Sequence, residues 1–128
     1  MIQPYLFIAP SAGKGRGVFT RRTIPANTII EVSPVLVMSG EDRKLLDQTL
    51  LHDYIFEWGA LRDQCCMALG YIALYNHAVP SNCEYFMEYG EALIFVKTMR
   101  RVRAREELTI NYNGPSDNRD PVWFEVAR

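Results

Sequence analysis

The sequence predicts a β-rich α+β domain built from several small sheets. Three observations carry that expectation. Short apolar runs alternate with Gly, Pro and Asn punctuation from Pro4 to Met38; a helical texture begins at Ser39; alternating aromatic and charged residues return after Asn82. Strands, a helical insert over 39–75, then strands again is a segregated order, not the strand–helix alternation of a parallel sheet.

In the first part, YLFIA and VFTRRTIPANTIIEVSPVLVM read as strands, with tight turns at Gly13–Gly17 and at Pro25-Ala26-Asn27. Pro34 cannot donate to a ladder, so a break or an edge is expected there. SGEDRKLLDQTLLHDYIFEWG offers Ser39 as a helix cap with Asp42 three residues on, and Leu45, Leu46, Thr49 and Leu50 recur at helical spacing. A second helical piece is expected over Leu61 to Leu74, buried by its Met, Ala, Leu and Cys content. EYFMEYGEALIFVKTMRRV reads as a hairpin turning at Tyr89-Gly90-Glu91, and EELTINYNG as a short strand ending in a turn.

A chain of 128 residues, 48% of them hydrophobic, is long enough to bury one core without staples. Lys+Arg 14 against Asp+Glu 15 provides no global field for nucleic acid, and no direct nucleic-acid reading is expected. No apolar run approaches the roughly 20 residues of a membrane span, and MIQPYLFIAP has no basic leader region. The expectation is a soluble, intracellular protein with no membrane role. Cys65, Cys66 and Cys83 make a poor disulfide framework and no zinc pattern; they read as small buried apolar residues, with no metal site.

Four segments invite chemistry, and each has a plainer reading. GKGRG (13–17) lacks the ending of a phosphate-binding loop and the following helix of a dinucleotide fingerprint, so an ordinary turn is favoured. Its glycines nonetheless permit close approach of backbone to a ligand. Asn76-His77 ends the apolar run in ALYNHAVPSNCEY; the pair either satisfies backbone or does chemistry, and no GxSxG elbow supports a hydrolase. MRRVRAR carries four arginines in seven residues, either a solvated strand edge or a contact to phosphates or an acidic partner. Tyr54, Tyr71, Tyr75, Tyr85, Tyr89 and Tyr112 either pack amphipathically or converge into an aromatic channel for a cation.

Taken in order, these segments resemble the SET-domain protein lysine methyltransferases across nearly the whole chain. GKGRGVFTRRTIPANTIIEV is similar to the family's opening segment, NHAVPSN to its Asn-His motif, and EELTINY to its EELTxxY signature. The resemblance implies a SET-domain fold of several small sheets, with the C-terminal segment threaded as a pseudoknot, over one domain spanning 1–128. The tail 113–128 would close the cofactor and substrate sites.

It also implies S-adenosylmethionine (S-adenosyl-L-methionine) as cofactor, a protein or peptide lysine as substrate with a histone tail as the family's prior, and methyl transfer as the reaction. Gly15, Arg16 and Gly17 would hold the methionine end of the cofactor, and Asn76 and His77 its adenine and amino-acid regions. Trp123 would stack on adenine. Tyr112 would be the catalytic tyrosine, and Tyr85 and Tyr54 would border the lysine channel. His77 is then no general base. Ala78 stands where the family usually has Ser, Pro80-Ser81 reverses the usual order before Asn82, and Arg105 stands where Gly usually precedes Glu-Glu. No flanking cysteine-rich zinc segment is expected, the cysteines of the sequence being Cys65, Cys66 and Cys83. A homodimer is a further expectation, and a non-catalytic SET module binding a lysine-containing peptide or acting through partners is the alternative.

Overall fold

In a computed structural model that describes residues 1–120, nine strands form two sheets around a continuous apolar core. The strands are β1 (Leu6–Ser11), β2 (Gly15–Thr20), β3 (Ile29–Met38), β4 (Phe56–Trp58), β5 (Gln64–Ala68), β6 (Asn76–His77), β7 (Cys83–Glu88), β8 (Leu93–Thr98) and β9 (Glu107–Ile110). One sheet runs β1-β2-β9-β6, the other β4-β5-β3-β8-β7. This β-rich arrangement is the expected fold class.

β1 and β2 are a hairpin closed by Ser11 opposite Gly15. Gly13 and Gly15 both take φ of 73°, a left-handed conformation that costs a residue with a Cβ about 1–2 kcal/mol. The turn at 25–27 also forms, with Asn27 supplying a positive φ of 59°. The β7–β8 hairpin turns where expected, pairing Glu88 with Leu93. On β8, Ile94, Val96 and Thr98 are fully buried at every second position, the alternation of a strand with one face on the core. Ile94 and Val96 join Ile30, Val18, Leu108 and Ile110, all fully buried, in the apolar cluster. Burying one such aliphatic side chain contributes roughly 1.5–3 kcal/mol.

Pro34 does not break β3, contrary to expectation. β3 pairs with β8 as far as Pro34 and with β5 from Val35 onward. The proline sits where the strand exchanges one partner for the other, so its missing N–H falls at the junction of two ladders.

The helical insert is smaller than its sequence suggests. α1 (Gly40–Leu46) begins as expected, Ser39 Oγ accepting from the Asp42 N–H at 3.1 Å. It stops at Leu46, because Thr49 opens a separate 3-10 turn, Leu50–Asp53, by accepting from Leu51 N–H. Leu45 and Leu50 are 66% and 76% exposed, so their spacing does not mark a buried stripe.

The second expected helix, Leu61 to Leu74, is absent. Its place is taken by β5 and a 3-10 turn, Ile72–Leu74. Gly59 and Gly70, at φ of 92° and 70°, bracket a segment too short for a stable helix. Within it Cys65, Cys66, Met67 and Ala68 complete the edge of β3. Tertiary pairing overrides the helical propensity of Met and Ala here.

The three cysteines are free and buried. Among the described residues no helix is long and apolar enough to cross a membrane.

Candidate active site

The site starts from one short parallel pairing. β6 lies alongside β9, Asn76 beside Thr109 and His77 beside Ile110. That register delivers the residues just after β9 to the residues of β6, although they are more than thirty positions apart in the chain. The Tyr112 N–H donates to His77 Nδ1 at 3.1 Å, and the two rings lie 5.1 Å apart. With Nδ1 accepting, a neutral His77 carries its proton on Nε2. Burial lowers its pKa below the usual imidazole value, and the Lys14 charge adds to the effect.

The Tyr112 hydroxyl donates to the backbone carbonyl of Tyr75 at 2.7 Å. Burial pushes its pKa above the ordinary phenol value, with Tyr54, Glu107 and Asp53 pushing the same way. It is a phenol at neutral pH, not a phenolate. Tyr85 donates its hydroxyl to the Tyr112 carbonyl at 2.9 Å and packs edge-on against Phe56, ring centroids 5.2 Å apart. Burial pushes the Tyr85 phenol up to about 12.

Asn76 ties three strands together. Its Nδ2 donates to the Arg16 carbonyl at 3.0 Å and to Glu107 Oε2 at 2.7 Å, while Glu107 Oε1 accepts from Ser11 Oγ at 2.8 Å. Gly17 lies against this knot. A Cβ there would press into the Glu107 carboxylate and come within 2.9 Å of Asn76 Nδ2. Here the glycine serves close approach and not a positive φ.

A cleft of about 320 Å³ opens over this assembly, walled by Lys14, Gly15, Arg16, Tyr54, Asn76 and Tyr112, with Ala73 and Leu74 as its apolar part. A narrow cavity of about 10 Å³ adjoins it, sharing Asp53, Tyr54, Ala73 and Tyr112 and adding Ile55, Phe56 and Ile72. Five residues named from the sequence, Gly15, Arg16, Tyr54, Asn76 and Tyr112, thus line one cleft, and His77, Gly17 and Tyr85 support it from behind. Trp123, and the threading of the tail beyond residue 120, lie outside the described residues.

The donor set suits a zwitterionic sulfonium ligand. Lys14 and Arg16 bring positive charge to the cleft for a carboxylate, the Gly-flanked hairpin permits close approach of its backbone, and Tyr54, Tyr112 and Asp53 offer aromatic faces and a negative charge to a cation.

The departures from the family motifs are accommodated locally. Asn82, nearly buried, accepts from Thr109 N–H at 2.8 Å and donates to the Glu107 carbonyl at 2.8 Å, pinning the NHAVPSN loop to β9. Arg105 takes φ of 71°, the conformation a glycine would adopt, and its N–H reaches the Thr20 carbonyl at 2.7 Å. In the arginine run, Arg100 pairs with Glu106 at 2.5 Å.

Sequence reasoning missed Glu107, which anchors Asn76, and it missed Glu31. Glu31 is fully buried and accepts from Ser33 Oγ at 2.7 Å, Tyr71 N–H at 2.8 Å and Tyr75 Oη at 3.0 Å. An acidic residue within the apolar run TIIEVSPVLVM was the available signal.

Comparison with known proteins agrees with this geometry. The SET domain family model matches residues 15–113. A histone-lysine N-methyltransferase specific for H3 lysine 37, from Schizosaccharomyces pombe, is 34% identical over 126 residues, covering 98% of this chain and 80% of its own. A crystal structure of a Plasmodium falciparum chain described as a histone methyltransferase superposes with a TM-score of 0.67 at 28% identity, covering 87% of this chain and 95% of that one. The motifs, the sheets and both relatives converge: the chain belongs to the SET-domain family of protein lysine methyltransferases.

Proposed function

We propose that the protein transfers a methyl group from S-adenosylmethionine to a lysine side chain of a protein substrate, histone tails being the class indicated by its S. pombe relative. The observation that carries this reading is the convergence of Gly15, Arg16, Tyr54, Asn76 and Tyr112 on one cleft with a narrow side cavity. We read residues 1–128 as one domain, with 39–75 as the insert and 113–128 as the segment closing the cofactor side.

The cofactor, when bound, supplies an electrophilic methyl on a sulfonium. Everything else falls to the chain. Lys14 and Arg16 would hold the carboxylate of the cofactor, with the 14–16 backbone and Asn76 beside it. The substrate lysine enters from the side of Tyr54, Phe56 and Tyr85. A lysine with a pKa near 10.4 is neutral in only about one molecule in a thousand at pH 7. An apolar, aromatic channel beside a sulfonium disfavours the ammonium and raises that fraction. In-line displacement then depends on alignment. Tyr112 would provide it: with its proton committed to the Tyr75 carbonyl, its phenolic oxygen would be left to accept weak CH···O contacts from the methyl when the cofactor is bound. His77 fixes the backbone that carries Tyr112 and takes no proton.

Calorimetry with S-adenosylmethionine, followed by transfer to a lysine peptide array, tests the reading. Tyr112→Phe is expected to bind cofactor like the parent chain and to lose at least about a hundredfold in transfer rate. Failure to bind cofactor overturns the proposal.

A further inference from the structure

The Glu31 cluster lies behind the site and its chemistry is unused by the reaction above. Glu31 projects from β3 into a fully buried position, where three donors converge on one carboxylate: Ser33 Oγ and Tyr71 N–H on Oε2, Tyr75 Oη on Oε1. The Tyr71 N–H can only donate, so Oε2 must accept; the Ser33 and Tyr75 hydroxyls complete the set, and a carboxamide in place of the carboxylate turns one of its two acceptor atoms into a donor. Burial holds the Glu31 pKa above the usual carboxylate value, with the three donors working against that rise.

The cluster is tightly enclosed. Gly70, at φ of 70°, covers the carboxylate so closely that a Cβ would overlap both Glu31 Oε2 and Ser33 Oγ. Tyr75 is itself fully buried, so its ring has no freedom to pivot once its hydroxyl is fixed. The backbone carbonyl of this same residue accepts the Tyr112 hydroxyl at 2.7 Å. Tyr75 is thus held at one end by Glu31 and holds Tyr112 at the other.

We propose that Glu31 is a positioning residue for methyl transfer: by anchoring the Tyr75 side chain from inside the core, it sets the direction in which the Tyr75 carbonyl presents itself to the Tyr112 hydroxyl. The proposal rests on Tyr112 being the catalytic tyrosine. It assigns to a buried carboxylate on β3 the aim of a hydroxyl on the far side of Tyr75. Loss of the Glu31–Tyr75 bond lets the carbonyl reorient, and the Tyr112 oxygen then loses alignment with the methyl while substrate and cofactor still bind.

Two variants separate this from a purely structural role. Tyr75→Phe keeps the ring and removes the hydroxyl; Glu31→Gln keeps the shape and disrupts the acceptor set. Val102→Ala, in a buried position outside the cluster, serves as a destabilised control. With tyrosine 13Cζ labelling of the cofactor-free chain, the Tyr112 resonance (identified with Tyr112→Phe) is expected to shift in Tyr75→Phe and in Glu31→Gln, and to stay in place in Val102→Ala. In transfer assays, kcat is expected to fall at least fivefold in Tyr75→Phe with KM for peptide within twofold. The double variant is expected to lose no more than the more impaired single one, because both act through one link.

If Glu31→Gln does not fold, Tyr75→Phe alone decides. An unmoved Tyr112 resonance in Tyr75→Phe overturns the proposal, as does a kcat equal to the parent's. A parent chain that transfers no methyl to any peptide defeats the functional reading, and the resonance still decides the positioning.

Discussion

The Tyr112 backbone N–H and His77 Nδ1 form a 3.1 Å hydrogen bond that joins the last turn after β9 to β6. It makes His77 an acceptor, which a protonated imidazole cannot be.

A pH dependence of stability follows. The folded pKa of His77 lies below its ordinary value of 6.5, so in acid the unfolded chain takes up the proton first. The stability this group contributes is complete above about pH 6.5 and is lost as pH falls toward the folded pKa. Denaturant titrations at about pH 7 and pH 5 should show the loss, and His77→Asn should flatten that part of the curve. The pH profile of transfer should not follow an imidazole.

Gly17→Ala should be worse than Gly15→Ala, although Gly15 has the left-handed backbone. At Gly15 a Cβ meets open space and only the backbone resists, at about 1–2 kcal/mol. At Gly17 it meets the Glu107 carboxylate and the Asn76 amide, an overpacking cost of about 1–3 kcal/mol, and the displaced Asn76 borders the cleft. Thermal unfolding should show the first penalty. Calorimetry with S-adenosylmethionine should show an affinity loss for Gly17→Ala that exceeds that for Gly15→Ala.

Tyr85→Phe removes a hydroxyl that bonds the Tyr112 carbonyl and leaves the ring packed on Phe56. The expected cost is about 1 kcal/mol in stability. On the proposed reading, in which Tyr85 borders the lysine channel, the variant should move the products toward a higher methylation degree, read from the intact mass of the peptide.

Arg105→Gly should stabilise the protein. Relief of the left-handed conformation is worth about 1–2 kcal/mol, and the freer unfolded chain returns part of it, roughly 0.5–1 kcal/mol. A rise in Tm of a few degrees is expected. A fall would mean that the Arg105 side chain contributes more than its backbone costs.

What could be read from the sequence was whatever is encoded locally. The Gly13–Gly17 turn, the Ser39 cap and the β7–β8 hairpin each depend on residues only a few positions apart, and each forms as expected. β5 was misread as helix because its strand identity comes from pairing with Val35–Met38, about thirty positions earlier. Asn76 and Tyr112 were recognisable through motifs, but their fastenings were not. Glu107 meets Asn76 across 31 positions and Ser11 across 96, and Glu31 meets Tyr75 across 44. No periodicity announces such contacts; only the parallel β6–β9 register and the burial of a charge within an apolar strand make them visible.

Pro34 has a consequence for how the molecule breathes. Because position 34 brings no amide proton, the seam between the two ladders of β3 rests on the Pro34 carbonyl, which accepts from the Leu69 N–H at 3.1 Å, and on the Val35 N–H, which donates to the Ala92 carbonyl at 3.0 Å; beyond it the β4–β5 wing pairs with residues 35–38. Amide exchange should therefore fall into two tiers: Cys66 and Ala68 should open sooner than Ile94 and Val96, without the whole molecule unfolding. That wing carries Phe56, so the wall of the narrow cavity is attached to the part of the sheet that yields first, and a side chain too bulky for the closed opening could enter during such excursions.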